Sequence, residues 1–247
     1  MWNALIRKEW RLLATPSYFL TISLVWLLLG WYFAAGLQEY QAIATKLAQL
    51  ENQRGASDMI LGSAQQILQL LMLAWSLYFG AKIVAQERQW QTHTLLRGVQ
   101  GSDTLWLCSK ALWLMFSLCL LTLPFWAFVA YLSLANAVVW DTGLLISQAL
   151  AQLLLILYAT GIALTFSSSQ NQTLSASLGL ALIYLLLWLA PLFIQSPLWL
   201  TESLKFLSPF EHLALLNRGI LSFATLNFLL LHLAIFITLT PIHWRQR

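Results

Sequence analysis

The sequence predicts an all-α integral membrane protein of one domain, residues 1–247, with six membrane-spanning helices. Three observations predict it. Hydrophobic residues make up 60% of the chain and charged ones 9%, against roughly 25% charged in a soluble domain. The apolar residues fall in six runs, at 18–36, 66–84, 112–134, 144–166, 174–194 and 226–242. Each run is near the roughly 20 residues a helix needs to cross the hydrocarbon layer. The lysines and arginines, finally, are divided unequally between the two sets of loops that those runs define.

Residues 1–15 precede the first run as an amphipathic helix. Trp2, Leu5, Ile6, Trp10, Leu12 and Leu13 share one side, and Asn3, Arg7, Lys8 and Arg11 the other. That is the pattern of a helix lying in the headgroup layer. Glu9 falls inside the apolar arc, where a carboxylate is costly unless wet or paired. It is either a wet helix end or half of an ion pair with a basic residue of the loop after span two. Thr15-Pro16-Ser17 breaks the helix before span one.

Between spans one and two, Leu37, Tyr40, Ala44, Leu47 and Leu50 recur at helical spacing. The segment 37–60 is either a helix resting on the membrane or a docking site for an external (periplasmic) partner. After span two, residues 86–110 hold Glu87-Arg88, then Gln91 to Arg97, Gly98, Gly101 and Ser102-Asp103. Thr92 or Thr94 can cap a short helix that Gly98 ends, and Ser102 or Asp103 can cap span three. Leu95 and Leu96 have no reason to face water unless something covers them. The polar run from Ser167 to Thr173 reads as a solvated turn between spans four and five. Pro124 and Pro191 lie within spans three and five and predict kinks.

The segment 195–225 carries two further short helices. Residues 197–206 are mildly amphipathic, and Ser208-Pro209-Phe210-Glu211 reads as a capping box with proline at the first helical position. The second helix runs to about Asn217, with Gly219 as its stop.

An even number of spans puts both termini on one side. On that side lie Arg7, Lys8, Arg11, Lys82, Arg88, Arg97, Lys110, Arg245 and Arg247; opposite lie Lys46, Arg54, Lys205 and Arg218. Nine against four places both termini in the cytoplasm. Trp31, Tyr32, Trp126, Tyr131 and Trp140 stand near the outer boundaries, where amphipathic rings favour the interface. This distribution accounts for the net charge of +4 and excludes a phosphate-tracking stripe, so no nucleic-acid partner is expected. No cleavable signal peptide is expected, because charged residues come first and the apolar run is too long for one. Cys108 and Cys119, eleven residues apart on one helix, are too distant to pair.

Polar residues within the spans include Gln65, Gln66 and Gln69, the i, i+4 pair Gln148 and Gln152, and His232. Buried polar groups in lipid face either a pathway or one another, which makes Gln148, Gln152 and His232 candidates for a solute path. No second ligand stands at metal spacing from His232, so no metal site is expected.

Four features in order carry a resemblance: Arg7-Lys8-Glu9 followed by Pro16; Glu87-Arg88 leading to Thr92 and Leu95-Leu96; Ser208-Pro209 with His212 and Arg218-Gly219; and a last span ending in a basic tail. Over nearly its whole length the chain resembles the ABC-2 type transporter permeases, in particular the small six-span members similar to gliding-motility and nitrous-oxide-reductase-maturation permeases. It departs from their pattern at Gln91, where glycine is usual, at Thr94, where glutamate is usual, and at Gln100, where proline is frequent. The resemblance implies an interfacial amino-terminal helix, a cytoplasmic coupling helix at about 91–101, and re-entrant outer helices at 197–221. The ATPase-coupling positions it implies are Glu9, Glu87, Arg88, Thr92, Thr94, Leu95, Leu96 and Arg97. Those of an outer gate are Pro191, Ser208, Pro209, Glu211, His212 and Arg218.

The chain has no Gly-rich phosphate loop followed by Lys and Ser or Thr, so it is not expected to be an enzyme or to hold a cofactor of its own. The resemblance implies the permease of an ABC exporter in the bacterial cytoplasmic (inner) membrane. ATP and magnesium would be bound by a separate cytoplasmic ATPase dimer, and the pathway completed by a second copy or a paralogous permease. An intramembrane enzyme would need acids, histidines or a nucleophile–base pair within the spans, which offer His232 alone. A secondary transporter or a membrane scaffold without ATP coupling is the alternative; internal repeats and broken helices would mark the former.

Overall fold

A computed structural model describes residues 11, 15–47, 60–91, 103–134, 140–193 and 197–245. Every regular element among them is helical: α1 (Pro16–Leu47), α2 (Gly62–Gln89), α3 (Asp103–Leu134), α4 (Thr142–Ser169), α5 (Thr173–Phe193), α6 (Leu198–Leu207), α7 (Pro209–Asn217) and α8 (Phe223–Arg245). Five of these, α1, α2, α3, α4 and α8, are long and apolar enough to cross a membrane, and α5 is apolar over Thr173–Leu189.

Helix ends follow local chemistry. Pro16 opens α1, where its missing N–H costs nothing, and Thr15 O accepts from the Tyr18 and Phe19 amides at 3.0 and 3.2 Å. Asp141 caps α4, its Oδ1 accepting from Gly143 N at 2.9 Å and Leu144 N at 3.3 Å. Gly219, at φ +82°, closes α7 in a Schellman turn, with Ile220 N donating to Leu215 O and Gly219 N to Leu216 O, both at 3.0 Å.

Two expectations are corrected here. α1 does not stop near Gly36 but continues to Leu47, because a lone glycine with no proline or cap beside it does not end a helix. The helical spacing read from Leu37 onward is met as far as Leu47, in one helix with the first apolar run. The Ser208–Glu211 capping box does not form either. Ser208 is the N-cap of α7 but makes no side-chain cap bond, and it is buried. It is also the last residue of the preceding turn, its N–H shared between Leu204 O and Lys205 O, and Pro209 alone sets the start of α7.

α4 forms the centre, packed against α2, α3, α5, α7 and α8. Over their most apolar stretches α2 and α4 are 56% buried, while α1 and α8 are 17% buried. Hydrophobic burial gives no drive for helices to associate within lipid, so close packing and polar contacts must do it. Small residues supply the first. A Cβ on Gly80 would lie 2.6 Å from Ala163 Cβ, and one on Gly161 would meet the Phe236 ring, so α2 and α8 approach the α4 backbone directly.

Polar contacts supply the second. Ser167 Oγ accepts from Val84 N (3.1 Å) and Ala85 N (2.9 Å) and donates to Ala81 O (2.8 Å). The run read from sequence as a solvated turn is thus partly structural: Ser167 and Ser168 are fully buried, and the turn itself is confined to 170–172. Trp75 Nε1 donates to Ser117 Oγ at 2.6 Å, and Tyr18 Oη shares that hydroxyl at 3.0 Å, joining α1, α2 and α3. Pro124 removes the N–H that would bond Leu120 O; the Trp26 indole N–H takes that carbonyl at 3.1 Å.

Candidate functional site

α2 is two α-helical stretches, Gly62–Trp75 and Ala81–Gln89, joined by the π-turn Ser76–Gly80. π-turns shift the phase of a helix and are frequent at functional sites. From this turn to Gln89, α2 packs closely on α5; along Gly62–Trp75 the two helices part. A groove of about 1050 Å³ opens between them and is closed at one end by α7. Tyr184 of α5 reaches the turn, its hydroxyl 3.0 Å from Ser76 Oγ.

The groove gathers its amides and its guanidinium at one end, where Phe210, Leu213 and Ala214 of α7 also line it, and is mainly apolar along the rest, with Tyr184 at the π-turn. Gln66, Gln69, Asn217 and Arg218 line it beside α7, and Leu70, Leu73, Leu77, Leu185 and Trp188 line the remainder. Gln69 and Asn217 exchange amide bonds in both directions, at 3.0 and 3.1 Å, which ties α7 to α2. Ser147 Oγ donates to Leu216 O at 2.6 Å and ties α7 to α4. Gln66 and Arg218 are exposed toward the opening.

Of the residues expected in an outer gate, Arg218 lines this groove and Pro209 starts the helix that closes it. Glu211 lies in the first turn of α7, and Pro191 lies in α5. His212 is buried behind α7. Its Nε2–H donates to Phe206 O at 2.9 Å, and its Nδ1 stands 3.2 Å from Thr225 Oγ1, which is 2.9 Å from Ser222 Oγ. A carbonyl can only accept, so the proton sits on Nε2 and Thr225 donates to Nδ1 of a neutral ring. Burial pushes the His212 pKa down, against the opposing pull of the Phe206 carbonyl and the Glu211 charge.

The three residues expected along a pathway are interior and do not line the groove. Gln152 Nε2 donates to Gln65 Oε1 at 2.8 Å, and Trp126 Nε1 donates to Gln152 Oε1 at 2.7 Å. Trp126, read from sequence as an interfacial ring, is thus half-buried in the bundle. Gln148 is fully buried and takes part through its backbone, its O accepting from Gln65 Nε2 at 3.4 Å. His232 Nδ1–H donates to Phe228 O at 2.9 Å, and its ring lies 4.1 Å from Phe228 and 5.4 Å from Tyr158, centre to centre. The groove's own polar residues, Gln66 and Gln69, stand out in sequence as amides opening a span; Asn217 carried no such signal because it lies on a short helix.

The far end of α2 holds the second site. Glu87 Oε1 accepts from Lys110 Nζ of α3 at 2.7 Å, with the two side chains 10% and 3% exposed. Arg88 is buried beside them, so these residues form the root of the 91–101 segment and not its surface. Gln89 Oε1 accepts from Thr173 N and Oγ1 at 3.3 and 3.1 Å and joins α5 to the same end. Gln91 closes α2 at φ +55°, a left-handed conformation that glycine adopts freely. The Lys110 partnership was legible only as two opposite charges bounding consecutive apolar runs. Glu9, Thr92, Thr94, Leu95, Leu96 and Arg97 lie outside the described residues, as do 1–10 and 48–59.

Neither a family model nor a curated protein matches the sequence, so its function has to be read from the groove and the charged seam.

Proposed function

We propose that this chain is the membrane-spanning permease subunit of an ATP-binding cassette exporter of the ABC-2 type, driven by a separate cytoplasmic ATPase. The observation that carries the reading is that one helix joins two sites. The first half of α2 lines the groove, and its last turn bears the buried Glu87–Lys110 pair at the root of the basic 91–101 segment. A push on that segment reaches the groove through α2 and its π-turn.

In this reading α5 is a sixth span, with 21 residues against the roughly 20 required. Both termini are cytoplasmic in a bacterial inner membrane, and α6 and α7 are re-entrant outer helices. Six spans form only half of a conventional pathway, so a second copy or a paralogous permease completes it.

The test is co-expression with a cytoplasmic ABC ATPase subunit. Arg97→Glu, or a bulky label covering cysteines placed at Leu95 and Leu96, should reduce ATPase co-purification at least several-fold while the permease keeps its elution profile. Undiminished co-purification would reject the coupling role of 91–101. Glu9→Lys should impair assembly or transport. ATP-independent transport by the chain alone would favour a secondary transporter.

A further inference from the structure

We infer that the groove between α2, α5 and α7 binds an amphiphile with an acidic head and an apolar tail, the head held at Arg218 and Gln66. The two ends of the groove ask for different chemistry. Beside α7 the wall offers amides and one guanidinium set against the apolar face of α7, and along the rest it offers Leu70, Leu73, Leu77, Leu185 and Trp188, with the Tyr184 hydroxyl there. No carboxylate lines it among the described residues.

Among the described residues Arg218 is the only charged one that lines the groove, and it has no ion-pair partner among them. It presents five N–H donors in a planar fork that matches a phosphate or carboxylate. Gln69 and Asn217 are spent on each other, whereas Gln66 is exposed to the opening and adds a further amide donor. The volume of about 1050 Å³ is at the upper end for a small-molecule site, roughly 300–1,000 Å³, and leaves room for a chain as well as a head. Apolar surface and charge thus select the same molecule from opposite ends: a soluble anion leaves the leucine wall unfilled, and an uncharged lipid leaves Arg218 unpaired. Calling this molecule the cargo rests on the permease reading; its binding does not, and is measured with no ATPase present.

The full chain is placed in phosphatidylcholine nanodiscs and titrated with brominated-chain phosphatidylglycerol or brominated-chain phosphatidylcholine. The Trp188 portion of the quenching is taken as wild type minus Trp188→Phe. That portion should saturate at about tenfold lower mole fraction for phosphatidylglycerol, the scale of a charge-assisted hydrogen bond. Arg218→Gln should bring the two lipids together. Ala74→Phe, at an exposed groove position, should reduce saturable quenching by both, and glycerol 3-phosphate should not compete. Coincident curves for the two lipids in the wild type, or a preference that survives Arg218→Gln, would overturn the head assignment. Competition by glycerol 3-phosphate would make this a soluble-anion site, and no quenching by either lipid would mean that a second copy of the chain covers the groove; both overturn the proposal. If binding holds and ATP-driven transport does not, the permease reading fails alone.

Discussion

The two ends of α2 are held by opposite kinds of chemistry. At the Glu87 end a formal ion pair is buried between α2 and α3, and Ser167 inserts its hydroxyl into the α2 backbone. At the α7 end the ties are neutral: the Gln69–Asn217 exchange, the Gln65–Gln152–Trp126 chain, Ser147 on Leu216 O, and His212 between Phe206 O and Thr225. Separating buried charges leaves each one uncompensated, whereas neutral amides in a bilayer readily find other partners. The charged end is therefore the harder of the two to pull apart, and the amide end the easier.

Lys110→Met puts the largest strain on this contrast. It removes the Nζ that Glu87 Oε1 accepts at 2.7 Å, at a site where the pair is 10% and 3% exposed, and the loss expected is about 3–5 kcal/mol. The double variant Glu87→Gln/Lys110→Met should recover most of it, because neither member of the pair is then charged without the other. Thermal midpoints in nanodiscs measure both. A Lys110→Met loss of under about 1 kcal/mol would show that the pair is wet and the contrast false.

Gly80→Ala tests the joint between the two ends. The added Cβ meets Ala163 Cβ at 2.6 Å and Leu114 Cδ2 at 3.2 Å. The leucine tip can yield, but Ala163 retreats only if the α4 backbone moves with it. A loss of about 1–3 kcal/mol is expected, read from the same melting curves. A variant as stable as wild type would mean that α2 and α4 are not in close contact at the π-turn.

Much of this architecture was legible in the sequence and part of it was not, for physical reasons. Long apolar runs mark spans because the bilayer sets their length, and Pro16 and Gly219 mark helix ends because their backbones allow little else. The π-turn at 76–80 carries no such mark: Ser-Leu-Tyr-Phe-Gly fits an α-helix equally well, and tertiary packing decides. Ser167 was misread because a serine at a helix end and one in a turn look alike until a neighbouring backbone is known. The groove was partly legible. Gln66 and Gln69 advertise polarity within a span, but which amides face one another, as Gln65 and Gln152 do, and which face an opening depends on helix rotation, which composition does not fix.

Gln69 and Asn217 give a milder test of the neutral end. Each to Ala, and both together, should return a coupling of about 0.6 kcal/mol and no more than about 1.7, measured by a double-mutant cycle in nanodiscs. The singles should also raise proteolysis within α7, since its ties to α2 are these two bonds, whereas Ser147 still holds it to α4. Coupling as large as the Lys110→Met loss would erase the difference between the ends.

The smallest expected effect is the pH dependence of His212, and it follows from neutrality itself. Burial lowers its pKa in the fold, while the unfolded imidazole titrates near about 6.5. Between those values the unfolded chain holds more protons, so stability rises with pH. The contribution is complete above about 6.5 and is lost as pH falls through that point toward the lowered value. Thermal midpoints of wild type should therefore drop more than those of His212→Gln between pH 7.5 and 5, a window chosen about the unperturbed imidazole. The neighbours that face this ring are Phe206, Phe228 and Thr225, with Glu211 acting at longer range. A midpoint difference that stays constant across the window would mean that the imidazole binds its proton as easily in the fold as outside it. The α7 end would then tolerate charge as the Glu87 end does.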